Sequence, residues 1–291
     1  MFEKGLLQGK RILVTGGGSG LGAAMGRRFV ELGAELIICG RRLELLEATA
    51  AHMRGDLGGR ISALACDIRD GAAVDAMLDA IWRDAPLDVL VNNAAATFIA
   101  QTERLSFRAA DAILAPTLHG AMYCTLGAGK RWIEGKHKAS VISILTTWIW
   151  NGGPFTVPSA MSKAGLNIMT KSLATEWGPN GIRLNAIAPG PFPTKGAWER
   201  LSPQSANRGE SRNPIPMGRN GEMPELANLA VFLMSDGCDY LTGQTIAIDG
   251  AMHLASGGNF AALAALGDSD WERIRGEVKS ANDKDKAQRA V

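Results

Sequence analysis

Tyrosine is scarce in this chain: Tyr123 and Tyr240 are the only two among 291 residues. Chemistry that needs a phenolic acid therefore has almost no candidates. Cysteine is thin as well. Cys39, Cys66, Cys124 and Cys238 form no CxxC pair and have no histidine at metal-ligand spacing, which argues against a zinc framework or a disulfide scaffold. They read as small core residues of a reducing compartment. No run reaches the roughly 18 apolar residues of a membrane span, and no apolar run follows a basic start. The expectation is a cytoplasmic protein without a membrane partner. Charge of one sign is missing too. Lys+Arg number 31 and Asp+Glu 29, a scattered formal net of +2, so nucleic acid is a poor partner and a small molecule is the default ligand.

What the chain does have is apolar residues, 46% of the total, enough for one large core. A single domain over 1–291 is expected. Short β-branched runs at 11–15, 35–39, 61–66, 88–91, 140–144, 182–187 and 245–248 alternate with helical patterns at 21–32, 43–54, 71–83, 106–134, 159–177 and 224–235. Most of the short runs are apolar throughout, as suits parallel strands buried on both faces. The alternation predicts an α/β fold with a doubly wound parallel sheet whose ligands gather at the carboxyl ends of the strands. Residues 191–221, rich in Pro, Gly, Ser, Asn and Arg, are too long for an ordinary connection. They read as a substrate lid with a short helix at 196–201. The mostly charged end, 279–291, reads as a frayed tail.

The first chemical motif follows the first strand: Thr15, Gly16, Gly17, Gly18, Ser19, Gly20, Leu21, Gly22. Glycines there allow a tight turn and let a pyrophosphate approach the helix amino terminus, where unpaired N–H groups and the helix dipole favour anionic oxygens. Gly16, Ser19, Gly20, Leu21 and Gly22 are the cofactor candidates. After the second strand stands Arg41-Arg42 instead of an acidic residue. A guanidinium suits a 2′-phosphate, so the expected cofactor is NADP(H). Arg42 is also readable as a solvated turn residue. Asp67 and Ile68, after the third strand, are candidates for the adenine edge. Asn92-Asn93-Ala94-Ala95, after the fourth, supplies amides and small residues where backbone passes close to the cofactor.

These motifs, with Lys163, Pro189-Gly190, Thr194 and Thr242-Gly243-Gln244 leading to Asp249-Gly250, resemble the short-chain dehydrogenase/reductase family over nearly the whole chain. The resemblance implies a single Rossmann-type domain with a seven-stranded sheet and a homotetramer. It also implies that Pro189, Gly190, Phe192 and Thr194 hold the nicotinamide end, and that Lys163 hydrogen-bonds its ribose. Where the family reads Tyr-x-x-x-Lys, this chain reads Ser159-x-x-x-Lys163. The runs from Asn92 to Ile99, Thr102 to Ser106, Val157 to Ser159 and Thr194 to Leu201 are similar to the 2,4-dienoyl-CoA reductase branch, whose members also carry serine there. What this implies is NADPH-dependent reduction of an unsaturated acyl-CoA in fatty acid metabolism.

Chemistry accounts for the missing phenol. A ketone reductase must protonate a developing alkoxide, and a serine hydroxyl is too weak an acid for that task. Conjugate reduction of a thioester instead needs hydrogen-bond donors at the thioester oxygen, with a proton arriving later. The branch implies a tyrosine and an asparagine as those donors. Trp148 and Thr97 occupy the corresponding positions, and each can donate one hydrogen bond. Trp148, with Trp150, is equally readable as pocket wall. Thr146 keeps a hydroxyl where the family has serine. His119 is matched to a family asparagine that anchors a water, and a packing histidine is the other reading. Lys195, Arg200, Arg208, Arg212 and Arg219 are lid cations, either solvated or facing coenzyme A phosphates. Two other functional readings stay open. One is a carbonyl or hydroxyl oxidoreductase using Tyr123 or His119 as acid, with Tyr240 only structural. The other is an NADP-binding but catalytically silent regulator or partner subunit.

Overall fold

The structure is a computed structural model that describes residues 1–194, 215–255, 266–270 and 272–274. Met1–His253 form one compact unit, and Leu254–Val291 cluster separately. The expected lid helix at 196–201, Lys195, Arg200, Arg208 and Arg212 of the lid, and the 279–291 tail lie outside the described residues.

All seven apolar runs are strands: β1 (Arg11–Thr15), β2 (Glu35–Gly40), β3 (Ile61–Ala65), β4 (Val89–Asn92), β5 (Ala139–Ile144), β6 (Ile182–Pro189) and β7 (Thr245–Ile248). They form one parallel sheet in the order β3-β2-β1-β4-β5-β6-β7. The helices are α1 (Gly20–Glu31), α2 (Leu43–Leu57), α3 (Gly71–Asp84), α4 (Phe107–Leu114), α5 (Gly120–Glu134), α6 (Trp148–Asn151), α7 (Val157–Trp177), α8 (Met223–Met234) and α9 (Met252–Ala255).

Alternate residues of each strand enter opposite cores, which explains why the runs are apolar throughout. Ile12, Val14, Ile38, Val91, Ile142 and Ile187 face one layer with Met25 and Phe29 of α1 and Leu226 and Ala230 of α8. Leu13, Ile37, Leu90, Val141 and Leu184 face the other with Leu78 of α3, Trp132 of α5 and Trp177 of α7. Each such fully buried aliphatic side chain contributes about 1.5–3 kcal/mol. The four cysteines are buried and unpaired, and burial pushes the Cys124 thiol up to about 12. No described helix is long and apolar enough to cross a membrane.

The helix predicted over 106–134 is broken. A π-helical turn, Ala115–His119, separates α4 from α5. Pro116 is the cause, because it has no N–H to donate and its ring displaces the preceding carbonyl from the regular ladder. The turn matters for the site, since its Thr117 is hydrogen-bonded to Ala96 in the loop after β4.

Candidate active site

The cofactor side is built from backbone. Gly16 has φ +67° and Gly20 φ +55°, conformations that side-chain-bearing residues seldom adopt. A Cβ at Gly22 would stand 2.5 Å from Asn93 Nδ2 and 2.7 Å from Gly16 O. One at Gly16 would stand 3.0 Å from Ala94 Cα. The loop is pinned to the end of β4 by Thr15, the first residue of the motif. Its Oγ1 accepts from Asn93 N and Ala94 N, each at 3.0 Å, and donates to Val91 O at 3.3 Å. Asn93 Nδ2 donates to Thr15 O at 2.9 Å and Gly16 O at 3.3 Å. Asn93 therefore shapes the loop with its side chain, and Ala94 offers only backbone and a methyl group.

Ser19 is exposed at the start of α1 and its side chain caps no N–H. Leu21 packs against the core. Thr194 lies across the loop, its Cγ2 3.5 Å from where a Gly20 Cβ would be. Pro189 ends β6, Gly190 N donates to Ile248 O at 3.0 Å, and Gly190 lies so close to Asp249 that a Cβ would meet that residue's Cβ at 2.6 Å. Phe192 is buried against Gly221. A concave, glycine-lined surface at a helix amino terminus fits a dinucleotide pyrophosphate.

Arg41 and Arg42 are exposed just beyond β2. Asp67, half-exposed beyond β3, is paired with Arg69, whose guanidinium NH2 lies 2.5 Å from its Oδ2. Ile68 is buried against Gly120 at the start of α5.

Lys163 is the centre of the side expected to be catalytic. One face of α7 is buried at Ser159, Ser162, Lys163, Leu166, Asn167 and Thr170, the i, i+3, i+4 spacing of a core-facing helix. Lys163 is thereby held inside. Its Nζ donates to Ile144 O, the last carbonyl of β5, at 2.5 Å, and burial lowers its pKa to about 8. Ser159, at the position of the absent phenol, is 4% exposed.

Thr97, Thr146 and Trp148 sit on the two loops that converge here. The β4 loop is tied to the segment before α7 by Ala100 N donating to Phe155 O at 2.9 Å. Thr97 Oγ1 is buried and has no hydrogen-bond partner among the described residues. Such a hydroxyl carries an uncompensated desolvation cost. Thr146 is half-buried and its carbonyl accepts from Ile149 N. Trp148 opens α6, half-buried, with Gly153 against its indole face. Trp150 is turned elsewhere. It stacks on His253, ring centroids 4.6 Å apart, and His253 pairs with Asp249.

The His119 ring is exposed and stacks on Tyr123, ring centroids 6.3 Å apart. The side chain that reaches the β4 loop from the π turn is Thr117, fully buried, accepting from Ala96 N at 3.0 Å and donating to Ala96 O at 3.3 Å. Pro116, in the middle of a helical pattern, was the available signal. Tyr240 is fully exposed. Arg219, the one lid cation described, makes two hydrogen bonds to Glu225, at 2.9 and 2.6 Å, and holds that carboxyl down to about 2. It is thus tied to the start of α8. No cluster of potential metal ligands occurs among the described residues.

Comparison with known proteins agrees with this geometry. The family described as Enoyl-(Acyl carrier protein) reductase matches residues 16–253. A Caenorhabditis elegans protein named probable 2,4-dienoyl-CoA reductase 3, (3E)-enoyl-CoA-producing, is 43% identical over 98% of this chain and 94% of its own length. A Bacillus subtilis protein named probable 2,4-dienoyl-CoA reductase, (2E)-enoyl-CoA-producing, is 37% identical over 85% of this chain and 98% of its own. Among solved structures, a gluconate 5-dehydrogenase from Burkholderia cenocepacia J2315, in complex with NADP and tartrate, superposes with TM-score 0.79. It is 28% identical and covers 84% of this chain and 96% of its own. A glycine-lined loop on a seven-stranded parallel sheet, a buried lysine beside β5 and these relatives lead to one conclusion: the chain is an oxidoreductase and belongs to the short-chain dehydrogenase/reductase family.

Proposed function

We propose that this oxidoreductase uses NADPH to reduce a conjugated dienoyl-CoA thioester. The observation that carries the proposal is Ser159, buried one turn before Lys163 where an acid would stand, because a serine there suits a reaction that needs no strong acid at that point. The names of the two relatives lead in the same direction. Arg41 and Arg42 beyond β2 favour the 2′-phosphorylated cofactor.

The bound cofactor supplies a hydride to the substrate carbon. The chain supplies the rest. The glycine loop and the α1 amino terminus bind the pyrophosphate, while Pro189, Gly190, Phe192 and Thr194 bound the nicotinamide end. Lys163 holds the ribose, and its positive charge favours the enolate-like transition state. Thr97 Oγ1, without a partner among the described residues, donates to the thioester oxygen together with the Trp148 indole N–H, and Ser159 lines the pocket. A water delivers the final proton. In this proposal the chain acts as a cytoplasmic homotetramer, with exposed apolar residues such as Met161 and Ile168 of α7 on the associating surfaces.

The test is NADPH oxidation by the purified protein with a panel of dienoyl-CoA, enoyl-CoA and keto substrates. Turnover with the dienoyl-CoA alone is expected. Turnover confined to keto substrates and abolished by Tyr123→Phe supports the carbonyl oxidoreductase. NADPH binding without hydride transfer to any thioester supports the silent protein.

A further inference from the structure

We propose that Arg69 is a positioning residue for cofactor specificity: by gripping Asp67 it leaves Arg41 available to a 2′-phosphate. The inference rests on the NADP(H) reading. β2 and β3 are parallel neighbours with Gly40 beside Ala65. Cys66 N donates to Gly40 O at 2.9 Å, so the ladder continues past both strands. Arg41, the first residue past β2, and Asp67, the second past β3, therefore leave the sheet from neighbouring strands at its carboxyl edge, where such sheets take ligands.

An ungripped carboxylate there opposes a phosphate in two ways. It repels the anion, and it competes for the Arg41 guanidinium. Arg69 removes both effects. Its Nε donates to Asp67 Oδ1 at 2.8 Å and Oδ2 at 3.0 Å, its NH2 group to Oδ2 at 2.5 Å and its backbone N to Oδ1 at 3.1 Å. Both oxygens are engaged in a forked, charge-assisted arrangement that lysine cannot copy. The Asp67 carboxyl is held below its ordinary pKa first by the hydrogen bonds from Arg69, and least by the charge of Arg41. Arg41 is thus near enough to interact with Asp67, while Arg69 is the group bound to it. The pair is exposed, 43% and 35% by side chain, so its effect on folding is small. Its effect on a dianion bound at Arg41, off the neighbouring strand, is not, because the interaction is between net charges of one sign.

The experiment is calorimetric titration of the full chain with NADP⁺ and with NAD⁺, in wild type, Arg69→Ala, Arg69→Lys, Arg41→Ala and the double variant Asp67→Asn/Arg69→Ala. The ratio of the two dissociation constants is the readout, since any contact of Asp67 with the shared adenine affects both ligands alike. Arg69→Ala is expected to weaken NADP⁺ about tenfold, equivalent to about 1.4 kcal/mol, while NAD⁺ binds as before or more tightly. Arg69→Lys falls between. Adding Asp67→Asn restores the wild-type ratio. An Arg69→Ala protein that binds both ligands equally less well, or both unchanged, overturns the inference, as does failure of Asp67→Asn to restore the ratio. If wild type shows no preference and Arg41→Ala leaves NADP⁺ binding intact, the NADP(H) reading itself fails. That result is distinct from a preserved preference that is indifferent to Arg69.

Discussion

The two sides of the site are made of different material. On the cofactor side the surface is backbone: Gly16, Gly20 and Gly22 leave room, and the Thr15 and Asn93 hydrogen bonds lock the loop onto β4. On the proposed substrate side the surface is side chain: Trp148 lies on a four-residue helix and Thr97 keeps a buried hydroxyl with no partner among the described residues. A backbone cradle with satisfied hydrogen bonds binds one shape and tolerates little change. An unsatisfied donor held in place by distant contacts is pre-organised for a ligand at some expense in stability. On the proposed function, this chain offers the cofactor a hydrogen-bonded backbone surface and places its reserve of polar capacity where the substrate arrives.

Lys163 belongs to both sides, so its removal breaks the comparison most severely. Lys163→Ala is expected to lower turnover by about a thousandfold, within the range for a lost charged catalytic group, measured by NADPH oxidation at saturating substrate. The cofactor side alone is broken by Gly22→Ala, whose new Cβ collides with Asn93 and Gly16. It is expected to weaken NADP⁺ binding about a hundredfold, read by titration.

Thr97→Val sharpens the comparison from the substrate side. It removes the unpaired hydroxyl and keeps the shape, so kcat is expected to fall about tenfold to a hundredfold while thermal stability rises slightly. A stability gain with kcat unchanged makes Thr97 a wall residue.

The pH dependence follows from the Lys163 pKa of about 8, below the ordinary 10.5 because of burial. In the free enzyme the cationic form is lost as pH rises through that value, so kcat/KM is expected to decline above about pH 8. The same shift has a smaller effect on stability. At neutral pH the lysine is protonated both folded and unfolded, and the fold bears the desolvation of the charge. Between the folded and unfolded pKa values the unfolded state binds more protons, so wild-type stability rises with pH there. Lys163→Met is thus expected to raise the melting temperature at neutral pH, with a gain that shrinks as pH climbs from 8 toward 10.5.

The sheet was legible because each strand run carries its own evidence: apolar residues on both faces mean burial on both faces. Its ends were less so. β6 continues through Pro189, two residues beyond the predicted 187, and β4 begins at Val89 and not at 88. The interrupted helix above β4 was read as continuous, since apolar periodicity persists across Pro116 while the hydrogen-bond ladder does not. α6 is too short to show any period. Within the site, the glycine loop was readable because close backbone approach demands glycine. The role of Thr15 was not, because its partner Asn93 lies 78 residues away, and Thr117, bonded to Ala96, was missed for the same kind of reason; Arg69, only two residues from Asp67, was missed because a neighbouring pair of opposite charges carries no signal of its geometry in sequence. His119 was matched to its role by register alone, and its ring lies exposed at the end of the π segment.

The sequence by itself determined the α/β order, the glycine loop, the two arginines beyond β2 and the spacing of Ser159 to Lys163 without a phenol. Those features are local, fixed by covalent register and by backbone conformations that only certain residues adopt. The tertiary structure decided that Lys163 is desolvated against Ile144, that Thr117 reaches the β4 loop and that the Thr97 hydroxyl is buried with no partner among the described residues. Desolvation depends on how many atoms from distant parts of the chain surround a group, and no spacing along the sequence records that.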